Sequence, residues 1–147
     1  MRLLLLTATL VFALPAMAQP RPNAAPQTTL AIADAPVSTA VQAGGADRNA
    51  VPGSGCSGYI DNAQPDAAVT VTGDGPLSIY AVSAADATIL VQDPAGRWHC
   101  SDDANGSNPA VTFAAAAPGR YMVWVGTFGP NALAPATLSA VRGQPAW

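Results

Sequence analysis

His99, Ser101, Asp102, Asp103, Asn105 and Asn108 crowd into the stretch RWHCSDDANGSNP (97–109) of a chain that is only 10% charged. A histidine beside a serine and an aspartate is the material of nucleophilic hydrolysis. The imidazole takes the serine proton and the carboxylate orients the imidazole. The near-neighbour spacing of His99, Ser101 and Asp102 fits no triad order, and no G-x-S-x-G elbow occurs in the sequence. A secreted, peptidase-like hydrolase centred on His99 is therefore the runner-up reading. No catalytic residue is assigned.

Hard oxygens in the same stretch suit another chemistry, because Ca²⁺ takes about six to eight oxygen ligands from carboxylates, amides, carbonyls and water. Asp102, Asp103, Asn105 and Asn108 supply such groups. Asp86 and Asp93 stand at the two ends of the preceding apolar run and add to the set if the fold brings an end close. The spacing is not that of an EF-hand. The plainer expectation is that Asp and Asn bond their own backbone in tight turns, with Asn105–Gly106 as the turn pair. One histidine and two cysteines do not make a four-ligand zinc site. Trp98 is a ligand surface if exposed, and Trp124, inside the apolar run YMVWVG, is expected in the core.

The elements that must carry these residues are strands. Short alternating or β-branched runs occur at CSGYI (56–60), AAVTVT (67–72), LSIYAV (77–82), ATILVQ (87–92), RWHC (97–100), AVTFAA (110–115), RYMVWVGTF (120–128) and ATLSAV (136–141). Turn chemistry separates them. Asp93-Pro94-Ala95-Gly96 has the residues of a type I turn. No helical period intervenes. The pattern predicts an eight-stranded antiparallel β-sandwich or jelly roll over 56–143, with 144–147 as a short tail. Residues 19–55 are rich in Pro, Ala and Gly and lack aromatics. Such a segment buries too little to offset its ordering entropy, so it reads as a disordered linker or tail, with 28–37 offering one edge strand at most.

The start of the chain is a separate matter. Arg2, the apolar run 3–14, Pro15 and Ala16-Met17-Ala18 have the layout of a signal peptide over 1–18. Export to the periplasm or beyond implies an oxidising compartment, where Cys56 and Cys100 pair by default. Closing residues 56–100 into one loop is worth roughly 4 kcal/mol. Beyond residue 18 five arginines face nine aspartates, with no lysine and no glutamate, for a formal charge of −4. No basic patch exists, which argues against nucleic acid and anionic lipid as partners. No second long apolar run follows the leader, so no membrane insertion of the mature chain is expected.

Asp86 with Ile89 and Leu90, the Asp93–Gly96 turn, Cys100-Ser101-Asp102-Asp103 and the strand Gly119-Arg120-Tyr121 to Val125 form a motif series. Over about residues 54–142 it resembles the bacterial pre-peptidase C-terminal domain family. The resemblance implies a compact jelly-roll-like sandwich, commonly appended to secreted proteases without being their catalytic part. It also implies that calcium or an insoluble polymer is a ligand in some members. No protease domain accompanies the motifs here. The reading is an exported, non-enzymatic β-sandwich that binds or stabilises an unknown protein or polymer partner in the envelope or outside the cell, with Ca²⁺ at the Asp-rich loop as its sharpest refinement. A purely structural envelope protein is the other alternative.

Overall fold

The computed structural model describes residues 19–49, 51, 55–130 and 132–147. The expected signal peptide lies outside the described residues. The chain is all-β, with eleven strands: β1 (Thr28–Ile32), β2 (Val37–Ala43), β3 (Asp47–Arg48), β4 (Tyr59–Ile60), β5 (Ala67–Val71), β6 (Gly75–Ser83), β7 (Ala87–Gln92), β8 (Trp98–Ser101), β9 (Ala110–Ala116), β10 (Gly119–Thr127) and β11 (Ala134–Val141). They form a seven-stranded sheet built around β10 and a four-stranded sheet in the order β2-β11-β6-β9.

The eight expected runs correspond to β4 through β11. The strand count is eleven because residues 19–55, expected as a linker, contribute β1, β2 and β3. These segments do bury little on their own. They are ordered by pairing onto sheet edges that the rest of the chain builds. β1 lies parallel to β5, Thr28 opposite Ala67 and Ile32 opposite Val71, and β2 lies antiparallel to β11. Leu30, Ile32, Val37, Val41 and Ala43 join the main core from this region. The β1–β5 pair also corrects the expectation of a wholly antiparallel sandwich.

The main core lies between the sheets. Alternate residues of β10, Tyr121, Val123 and Val125, face Val69, Ile89 and Val91 of their own sheet and Leu77, Ile79 and Leu138 of the other. Each fully buried side chain of this size contributes about 1.5–3 kcal/mol. The intervening residues of β10, Met122 and Trp124, face outward yet are also buried. They join Ile60, Ala68 and Leu90 in a second, smaller core. Segment 55–60 covers that face, and the Cys56–Cys100 disulfide pins it to β8. This explains why YMVWVG is apolar on both faces. At Gly44 the chain leaves β2 in one sheet for β3 in the other. There φ is +103°, and a Cβ would meet the Ala132 carbonyl oxygen at 1.9 Å, so only glycine fits.

Candidate functional site

The strand directions sort the loops into two ends. β5, β7, β9 and β11 begin, and β2, β6, β8 and β10 finish, at one end. That end carries the segments 44–48, 61–66, 84–86, 102–109 and 128–133. The other end carries 33–36, 72–74, 93–97, 117–118 and the chain after β11.

The Asp-rich loop lies at the first end. Asp86 lies there too, since the Ala87 N–H donates to the Ser107 carbonyl at 3.1 Å. Asp93 does not: it stands at the opposite end of β7, one strand length away. Asp102 Oδ2 accepts a hydrogen bond from Ser57 Oγ at 2.8 Å, and Asn108 Oδ1 accepts one from the Ser83 N–H at 3.0 Å. Asn105 and Asn108 exchange backbone bonds of 3.0 and 3.1 Å around Gly106. Asp103 is exposed. The six expected calcium ligands thus do not converge. Among the described residues no three His, Cys, Asp or Glu side chains are grouped to hold a metal. Asp102 and Asn108 fasten the loop to segment 55–60 and to β6.

His99 is occupied as well. Its Nε2 lies 3.0 Å from Asp93 Oδ2, and its ring packs edge-on against Phe113 with centroids 4.8 Å apart. Ser101 Oγ, on the same strand face, accepts from the Ala110 N–H at 3.2 Å. The geometry assembles a turn around Asp93, whose carboxylate also accepts from the Ala95 and Arg97 N–H groups and from Arg97 Nε at 2.8 Å. Burial pushes the Asp93 carboxyl up, but the bonds from His99 and Arg97 outweigh it and hold it below the usual carboxylate range. Trp98 is half-buried and leans on Trp124 with ring centroids 5.5 Å apart, while Trp124 is fully buried. Trp147 packs edge-on against Tyr80 at 5.2 Å.

What the strand pairing gathers, and sequence reasoning missed, lies at the same end as the Asp-rich loop. A cavity of about 330 Å³ is lined by Gln27, Gln42, Gly44, Gly45, Ala46, Asp47, Asp61, Asp66 and Leu133. Asp47 Oδ2 accepts from the Asn62 N–H at 3.0 Å, and Asp61 Oδ1 from the Ala63 N–H at 2.8 Å. Asp66 is 93% buried by the measure of its 7% exposure. It accepts from the Val125 N–H at 2.7 Å and from Gln27 Nε2 at 3.2 Å. Burial pushes its carboxyl up to about 7, with the Val125 bond opposing the rise and Asp61 adding to it. A second cavity, about 470 Å³, is lined by Arg48, Gly55, Cys56, Ser57, Gly58, Tyr59 and Phe128. Adjacent residues of β3, Asp47 and Arg48, therefore serve different cavities. The loop between β10 and β11 exposes Phe128 and Leu133, 55% and 66% accessible, one at each cavity. Thr127 Oγ1 holds this loop through the Gly129 and Ala132 carbonyls at 3.0 and 3.1 Å.

Charge follows the same division. Asp47, Asp61, Asp66, Asp86, Asp102 and Asp103 lie at the first end with Arg21 and Arg48. Asp34, Asp74 and Asp93 lie at the other end with Arg97, Arg120 and Arg142. The formal charge of −4 carried by residues 19–147 thus sits wholly at one end.

No family model and no curated protein matches the chain. Among solved structures it is similar to the pre-peptidase C-terminal domain of a collagenase from Bacillus anthracis, at 16% identity and a TM-score of 0.47, over 80% of this chain and 99% of that one. It is also similar to PliG of Aeromonas hydrophila, a periplasmic inhibitor of g-type lysozyme, at 14% identity and a TM-score of 0.43, over 79% of this chain and 96% of that one. The first of these structures is of the domain type that the motif series resembles.

Proposed function

We propose that this chain is an exported, non-catalytic β-sandwich module that docks a cationic protein surface on its acidic end. The observation that carries the reading is the segregation of charge. The whole formal charge of −4 lies at the end that also exposes Phe128 and Leu133. Complementary charge steers a partner and fixes its register, while exposed apolar side chains supply the buried anchor of an interface. The disulfide suits an oxidising compartment. A non-catalytic role is supported by Ser101, the neighbouring hydroxyl a hydrolase centred on His99 would use, accepting instead from the Ala110 N–H at 3.2 Å.

Binding to immobilised poly-L-lysine at rising salt tests this. Two charge-matched double variants are compared with the native chain: Asp47→Asn with Asp61→Asn, and Asp34→Asn with Asp74→Asn. The first pair is expected to weaken binding several-fold more than the second. Equal weakening by both pairs would show that only net charge matters and would overturn the reading.

A further inference from the structure

We infer that the cavity beside Phe128 is a carboxylate site, built to take an acidic side chain of the docked protein next to an apolar one. The inference rests on the docking reading for its biological ligand but is tested without that partner. Its cation is Arg48, the only charged one among the described residues that line the cavity of about 470 Å³. The Arg48 guanidinium makes no ion pair with any described carboxylate; among described residues the Arg–carboxylate pair is that of Arg97 with Asp93. By contrast Arg142 is spent on the carbonyls of Ala33, Thr72 and Gly73. A guanidinium presents a planar fork that matches a carboxylate bidentately.

The remaining lining sharpens the ligand. The Tyr59 hydroxyl offers a donor. Ser57 has its proton committed to Asp102 at 2.8 Å, so its oxygen is left as an acceptor for an N–H. Phe128, 55% exposed, and the Tyr59 ring give an apolar wall. A carboxylate, a neighbouring backbone N–H and an adjacent apolar side chain are what an acidic residue followed by a hydrophobic one presents. The site also explains a discrepancy within the acidic end. A surface selected only for negative charge would gain nothing from placing Arg48 next to Asp47. Of the two cavities at this end, only this one offers a partner carboxylate a cation among its described lining residues, which fixes the orientation of docking.

The test uses two dipeptides that differ only in charge, N-acetyl-Asp-Phe-amide and N-acetyl-Asn-Phe-amide. Each is titrated into the oxidised chain while the NMR signals of the Arg48 Nε–H, Tyr59 and Phe128 are followed. The acid is expected to move these signals saturably and to bind about tenfold more tightly than the amide. Arg48→Gln should erase that difference. Arg48 is exposed and unpaired, so this variant should fold as the native chain does. Equal binding of the two peptides, no saturable shift with either, or an Arg48→Gln chain that still prefers the acid would each overturn the inference. The poly-L-lysine experiment reads the aspartates and this one reads Arg48, so either can fail alone.

Discussion

Asp66 and Asp93 are both nearly buried aspartates, one at each end of the sandwich, and the surroundings push their carboxyls in opposite directions. At Asp93 a histidine, an arginine and two backbone N–H groups meet the carboxylate, and the 93–97 turn closes around it. At Asp66 one backbone N–H and one amide are available, and the charge that acts on it is another carboxylate, Asp61. The opposite end uses its charges as fasteners: Asp93 builds a turn, and Arg142 ties β1, β5 and its own strand end together through carbonyl oxygens. The acidic end concentrates like charges and leaves Asp86 and Asp103 exposed. Charge is spent on fastening the fold at one end and left largely unspent at the other.

The comparison can be broken at the disulfide first. Replacing Cys56 and Cys100 together by alanine should cost about 4 kcal/mol in urea denaturation. Amide exchange should rise most around Ile60 and Leu90, beneath the segment the bond pins, and least in the Asp93 turn. Uniform exchange would mean that the two ends do not differ in local stability.

Asp66 comes next. Its folded value of about 7 lies above the ordinary 3.8. Between those values the folded state holds a proton that the unfolded chain has lost, so stability should fall as pH rises from about 4 to 7, by roughly 4 kcal/mol at most. Asp66→Asn keeps an acceptor for the Val125 N–H and should flatten that slope and gain stability at pH about 8. An unchanged slope in denaturation curves across this range would remove Asp66 from the account.

Asp93 carries the opposite sign. Its depressed carboxyl contributes stability above the ordinary carboxylate range and loses it as pH falls through the folded value. Asp93→Asn should cost about 2 kcal/mol at neutral pH, read from the same curves. A smaller effect is expected at the exposed loop. Phe128→Ser with Leu133→Ser should change stability by no more than about 0.5 kcal/mol while weakening binding of N-acetyl-Asp-Phe-amide. The smallest effect is expected from calcium. The Asp102–Asn108 loop already spends Asp102 on Ser57 and Asn108 on Ser83, so thermal midpoints in EDTA and in millimolar calcium should agree. A rise of several degrees in calcium would make the loop a metal site.

Much of the sandwich was legible because its signals are local. Val69 and Val71 alternate with Thr70 and Thr72, and the Asp93–Gly96 turn announces itself by residue type. Trp124 sits in the core as its run suggests. β1–β3 were not legible because their order comes from partners distant in sequence. Thr28 to Ile32 become a strand only when Ala67 to Val71 lie alongside. The site was hidden for the same reason. Asp47, Asp61 and Asp66 share no motif, and Arg48 faces Tyr59 only through the β3–β4 register.

The pairing of β2 with β11 has a consequence for how the chain reaches this structure. Val37 lies opposite Ala140, so the four-stranded sheet joins segments near the two extremes of the described chain. That sheet cannot close until nearly all of the described chain is present, and contacts so distant in sequence slow folding. If the chain is exported as proposed, such a delay would leave β2 unpaired until β11 has arrived. Refolding of a chain truncated before Ala134 should therefore stall with β2 unprotected from amide exchange.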